Sequence, residues 1–143
     1  MPETTETLAD GRVALRFERH LAHPRAKVWR AITESAQLRA WFVEILDYDR
    51  SRLDFAPGAS LTFDADGFPD AHGEVTAYDP PALLEYTWAG ETLRFELAAE
   101  GETCRLVFVN IVDGPGTAAA VREGWRTGLE RLAATLGNAD ARR

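Results

Sequence analysis

Apolar and polar residues follow a regular pattern along most of this chain, and the period of that pattern names the elements. From Arg12 to Leu21 the period is two. Val13, Leu15, Phe17 and Leu21 share one face, with Arg16, Glu18 and His20 on the other, which predicts a strand buried on one side. His23-Pro24 ends it, and Pro24 suits the start of a helix, where its missing N–H does no harm. Val28, Trp29 and Ile32 give that helix an apolar stripe ending near Thr33. Ser35 reads as the N-cap of a second short helix, with Leu38, Trp41 and Phe42 on its buried side. Period two then returns. Ser51–Phe55 is a weak strand, and Ala59–Ala65 carries Leu61 and Phe63 on one face. Asp66–Asp70 is a loop. His72–Tyr78, Leu83–Trp88, Thr92–Ala98 and Thr103–Val112 complete the set, separated by turn residues such as Pro80-Pro81, Ala89-Gly90 and Gly101.

The last stretch changes to helical spacing. Over Thr117–Leu136, Val121, Trp125, Leu129, Leu132 and Leu136 form one stripe, while Arg122, Glu123, Arg126, Glu130 and Arg131 lie mostly elsewhere. Gly137-Asn138 is placed to end this helix. Gly124 and Gly128 stand in its middle, each costing about 1 kcal/mol relative to alanine. Two explanations fit them: close packing of helix backbone on a sheet, or space kept free beside Trp125 for a ligand. Short turns between strands imply an antiparallel meander. The sum is an α+β domain, its helices gathered on one face of a sheet of about seven strands.

Totals narrow the function. The 143 residues fit one domain, 1–143, with an ordered core of about 12–137 and a mobile tail over Met1–Gly11. Hydrophobic content of 45% supports a sizeable core. A net charge of -7 argues against nucleic acid and against docking on anionic lipid. Cys104 is the only cysteine, so neither an internal disulfide nor a thiolate metal site is expected. With no signal-like start and no membrane-length apolar run, the expected location is the cytoplasm.

The chain resembles a known family. Phe17-Glu18-Arg19, the run His23–Thr33, Leu38-Arg39-Ala40-Trp41-Phe42, the run His72–Pro81, Leu84–Trp88 and Gly124-Trp125 with Gly128-Leu129 match, in order and spacing, the activator of heat-shock-protein-90 ATPase homologue 1-like family, within the START/SRPBCC helix-grip (Bet v-like) superfamily. The resemblance implies a curved antiparallel sheet gripping the C-terminal helix, with a cavity between them. It does not imply one activity, since lipid binders, polyketide cyclases and chaperone activators share the fold.

If that cavity exists, Phe63, Trp88, Phe95 and Phe108 line it, Trp125 stands on its far wall and Trp41 closes one end. Tyr86 and Asn110 are its polar candidates, because they share strand parity with Trp88 and Phe108. Asn110 needs a partner wherever it is buried. The histidines His20, His23 and His72 lack metal-ligand spacing, so no metal and no cofactor are expected. Asp64, Asp66 and Asp70 with His72 read as a solvated acidic loop. Cys104 beside Glu102 is a poor nucleophile. In the last strand Val107, Val109 and Ile111 make the second face as apolar as the first, which suggests a cover such as a homodimer partner or the N-terminal tail.

The expected function is therefore non-enzymatic binding of a small hydrophobic ligand, lipid-like or aromatic. The ligand-binding residues are Trp41, Phe63, Tyr86, Trp88, Phe95, Phe108, Asn110, Gly124, Trp125 and Gly128. The alternatives are a polyketide cyclase or dehydratase on the same fold, using Tyr86 and Asn110, and a chaperone-interacting, ATPase-activator-like protein.

Overall fold

The computed structural model describes residues 3–65 and 67–141. Asp66, within the expected acidic loop, and the first two residues lie outside them. Seven strands form one antiparallel sheet. They are β1 (Glu3–Thr7), β2 (Val13–Leu21), β3 (Ser60–Phe63), β4 (Ala71–Asp79), β5 (Leu83–Trp88), β6 (Glu91–Glu100) and β7 (Thr103–Val112). Helices α1 (Arg25–Thr33) and α2 (Ser35–Trp41) lie between β2 and β3, and α3 (Pro115–Ala141) closes the chain. The order across the sheet is β1-β2-β7-β6-β5-β4-β3. Strands β3 to β7 are a meander of hairpins, and β2 pairs with β7 along its whole length. The fold is helix-grip α+β: a curved antiparallel sheet, two short helices and a long C-terminal helix.

Period two in the sequence becomes rows across the sheet. One inward row is Phe17, Phe108, Phe95 and Leu84, and the next is Leu15, Asn110, Leu93, Tyr86 and Val75. All of these are buried. The outward rows are mixed: Arg16, Val109, Arg94 and Glu85 in one, Glu18, Val107, Glu96 and Leu83 in the next. Strand β4 runs close to β5 at Gly73, where a Cβ would run into the carbonyl oxygen of Thr87. A bulge follows between Val75 and Ala77, and such irregularities curve a sheet. In the β5–β6 turn Ala89 and Gly90 both have positive φ, 51° and 88°, the conformation a two-residue hairpin needs.

Four expectations are corrected. The N-terminal segment is not a loose tail: Glu3–Thr7 is an edge strand on β2. Its backbone ladder and the bonds from Arg126 to Glu3 hold it, so it needs no apolar face. Ser51–Phe55 is not a strand. It makes only a single bridge, Arg52 to Thr62, and Leu53 turns into the core. Ser35 does not cap α2; it is the first helical residue, and Glu34 holds the cap position without a side-chain bond to the helix backbone. Gly137 does not end α3, which runs from Pro115, its first residue, to Ala141.

Among the described residues of α3, Leu129, Leu132, Leu136 and Ala118 are buried, while Val121 and Trp125 are half-buried. No helix among the described residues is long and apolar enough to cross a membrane.

Candidate functional site

The space between sheet and α3 is filled with aromatic rings. Phe63, Tyr86, Phe95 and Phe108 are each at most 1% exposed. Phe108 packs on Phe95 at 4.8 Å, Phe95 on Tyr86 at 6.1 Å, and Tyr86 on Phe63 at 6.4 Å. Phe63 stacks flat on the half-buried Trp88 at 4.3 Å. Phe42 then sits between Trp88 (6.0 Å) and Trp125 (5.9 Å), and Trp125 returns to Phe108 at 4.7 Å. The contacts make a closed circuit through sheet, helix and the segment after α2. Such offset and edge contacts add to the burial of ring area.

Trp41 braces this circuit from the side. Its indole N–H donates to the Ala31 carbonyl at 2.8 Å, and its ring meets Phe42 and Phe95 edge-on. Asn110 is fully buried and fully used. Its Oδ1 accepts from Trp125 Nε1 at 2.8 Å, and its Nδ2 donates to the Thr92 carbonyl (3.0 Å) and to Glu91 Oε1 (3.3 Å). Trp125 is thus fixed in angle by a polar relay reaching the half-buried Glu91. Burial pushes the Glu91 carboxyl above its ordinary range, opposed by the Asn110 bond. The Tyr86 hydroxyl differs: it is buried with no hydrogen-bond partner, and burial raises its pKa.

The open space lies on the other side of Trp125. A groove of about 670 Å³ runs between α3 and the segment Trp41–Ile45. Phe42, Val43, Val121 and Trp125 give it apolar walls, and Gly124 and Gly128 leave the helix surface bare. An ion pair between Arg131 and Glu44 ties helix to segment at its rim. The two glycines differ in what they face. A Cβ on Gly128 would meet the Trp41 carbonyl oxygen at 3.5 Å, ordinary contact, whereas a Cβ on Gly124 would meet nothing within 4 Å. Close backbone packing therefore does not account for Gly124.

The structure brings Trp41, Gly124, Trp125 and Gly128 to this groove. It places Phe63, Tyr86, Phe95, Phe108 and Asn110 behind it in the packed interior, and Trp88 half-buried at the interior's edge. Sequence reasoning missed Val43, Glu44, Ile45 and Arg131 as wall and rim. Residues 43–45 follow no period and Arg131 lies off the apolar stripe of α3, so no signal pointed to them.

Val107 is already 7% exposed in a single chain. Its register partners Glu18 and Glu96 carry ion pairs to Arg16 and Arg94, so charged stems flank it. Val109 and Ile111 are half-buried. No group of three or more His, Cys, Asp or Glu among the described residues is arranged to hold a metal.

With this architecture in view, a family profile matches residues 22–137, described as Activator of Hsp90 ATPase homolog 1-like protein. The chain belongs to that family. No curated protein matches this member of the Activator of Hsp90 ATPase homolog 1-like family. Solved structures do. Protein MLL2253 from Mesorhizobium loti superposes with a TM-score of 0.74 at 23% identity, covering 87% of this chain and 97% of its own. An AHSA1-like protein from Aeromonas hydrophila gives 0.74 at 18%, covering 89% and 94%. CalU16 from Micromonospora echinospora gives 0.72 at 20%, covering 98% and 87%. At these identities the likeness speaks for the fold.

Proposed function

We propose that this family member binds a small hydrophobic molecule, lipid-like or aromatic, in the groove between α3 and the segment Trp41–Ile45, without catalysing a reaction. The observation that carries the reading is Gly124. A glycine in the middle of a 27-residue helix costs about 1 kcal/mol, and here no neighbouring backbone offsets that cost. The residue leaves apolar volume open next to Trp125, whose angle the Asn110 relay fixes. An apolar cleft with a few placed polar groups is the common form of a ligand site.

The cyclase-type alternative finds less support. Its nominated acid–base residue, Tyr86, lies in the packed interior, and all the polar atoms of Asn110 are engaged inside the protein. A chaperone or other protein partner is the second reading. It is favoured by Ile45, which stands 60% exposed on the groove rim.

The test is a titration with a neutral fluorescent apolar probe, N-phenylnaphthylamine, against the wild type and Gly124→Trp. The indole fits the open groove and should leave the fold intact while displacing the probe. Equal affinity in both proteins would overturn the groove as the site.

A further inference from the structure

The Tyr86 hydroxyl has no use in the groove. It is fully buried, has no hydrogen-bond partner, and its ring lies among Phe55, Phe63 and Phe95. Nearly all buried polar groups in native proteins are paired, and an unpaired one costs about 1–3 kcal/mol. The rings packed on the Tyr86 ring offer no hydrogen-bond acceptor of their own. Tyr48, the neighbouring phenol, donates its hydroxyl to the Val43 carbonyl at 2.7 Å.

Phe55 covers Tyr86 with its ring centre 4.9 Å away. Phe55 also lines a surface cleft of about 410 Å³, together with Thr33, Ser35, Leu53, Asp54, Ala56 and Tyr78. The Phe55 ring thus touches both the Tyr86 ring and this cleft. That side chain sits on a thinly held stretch. From Leu53 to Ala56 there is no helix or strand. Among the described residues the only backbone hydrogen bond there is the turn from Ala59 to the Ala56 carbonyl. The whole segment between α2 and β3 is long and irregular, a kind of connection that is usually functional. Few backbone bonds make local opening cheap.

We propose that Phe55 is a displaceable plug between this cleft and a buried subsite whose recognising group is the Tyr86 hydroxyl. The subsite takes a flat, ring-sized apolar molecule carrying a hydrogen-bond acceptor such as a carbonyl. Moving the Phe55 ring vacates the volume of one benzene ring against Tyr86. An acceptor placed there accepts the hydrogen bond that the Tyr86 hydroxyl otherwise donates to nothing. The inference rests on the reading that this fold binds small apolar molecules, but it uses a different wall of the core from the α3 groove.

The test uses two molecules of nearly equal shape, acetophenone and ethylbenzene, which differ in the carbonyl. Phe55→Ala should bind acetophenone about tenfold more tightly than ethylbenzene, the worth of one hydrogen bond. Phe55→Ala with Tyr86→Phe should lose that preference. Equal affinities in Phe55→Ala, no binding of either molecule to the folded variant, or a preference that survives Tyr86→Phe would overturn the proposal. A second measurement needs no ligand. Tyr86→Phe alone should melt at the same temperature as the wild type or higher, and a clear drop would show that the hydroxyl has a partner and sink the idea. Adding Gly124→Trp to Phe55→Ala separates the two sites. Acetophenone binding should persist while the groove probe is lost, and loss of both would contradict a separate subsite.

Discussion

Asn110 stands in an inward row between Leu15 and Leu93, and its side chain stays there because three partners take its amide. Asn110→Ala would leave the Trp125 N–H and the Thr92 carbonyl without it. Chemical denaturation should show a loss of about 1–3 kcal/mol, and the tryptophan emission should change as Trp125 loses its anchor. At the other end of the relay, Glu91 gives a pH signature. Burial raises its carboxyl above the ordinary value of 4.5, so the folded chain holds this proton to higher pH than the unfolded chain. Stability from this group is therefore full below about pH 4.5, falls as pH rises through the folded pKa and stays lost above it. Glu91→Gln should be more stable than the wild type at neutral pH, with the difference vanishing in acid. Glu3 has the opposite sign. The hydrogen bond from Arg126 lowers its carboxyl, so its contribution is present above its unfolded value and fades as pH falls. Comparing Glu3→Gln and Glu91→Gln stability curves against pH would separate the two. Strand parity made the burial of Asn110 readable in the sequence. Its partner Trp125 was not readable, because the rotation of α3 against β7 leaves no local period.

Gly73 matters at the scale of the element. Strand β4 passes so close to β5 there that the Thr87 carbonyl oxygen occupies the place of a Cβ. Gly73→Ala must push two paired strands apart, and overpacking of this kind costs about 1–3 kcal/mol, measurable as a lower melting temperature. Gly124→Ala should do the reverse. With nothing near the added Cβ, the helix should gain about 0.5–1 kcal/mol. Strand β1 is held at its end by Glu3, which takes Arg126 at 2.8 and 2.9 Å and lies 3.8 Å from Arg19. Arg126→Ala should speed amide exchange over residues 3–7 while changing global stability by less than about 1 kcal/mol. The sequence was legible wherever one face of an element is apolar, as in β2, β5, β6, β7 and α1. Seven strands were expected and seven are present, but Glu3–Thr7 takes the place of Ser51–Phe55. The segment Glu-Thr-Thr-Glu-Thr has no apolar face to announce itself, and its pairing comes from backbone and charge. Leu53 and Phe55 are apolar for packing over the core rather than for a sheet. Gly137 reads as a stop, yet α3 continues through it, as a single glycine permits at modest cost.

For the whole molecule, the aromatic residues were legible as a set but their roles were not. Phe63, Tyr86, Trp88, Phe95 and Phe108 share parity and point inward, which suggests a lined cavity. The structure closes them into a circuit with Phe42 and Trp125, so the interior is packed and the open volume moves outside, to the far side of Trp125. That shift depends on Phe42 and the unperiodic residues after it. What the family and fold contribute is an architecture, and the site's own geometry argues for the ligand. The measurement that tests this most directly is the affinity of N-phenylnaphthylamine for the wild type and for a folded Gly124→Trp. Saturable binding by the wild type, weakened at least about tenfold by the substitution, a loss of about 1.4 kcal/mol, is the predicted result. Unchanged affinity in a variant that melts normally would contradict the groove as the binding site.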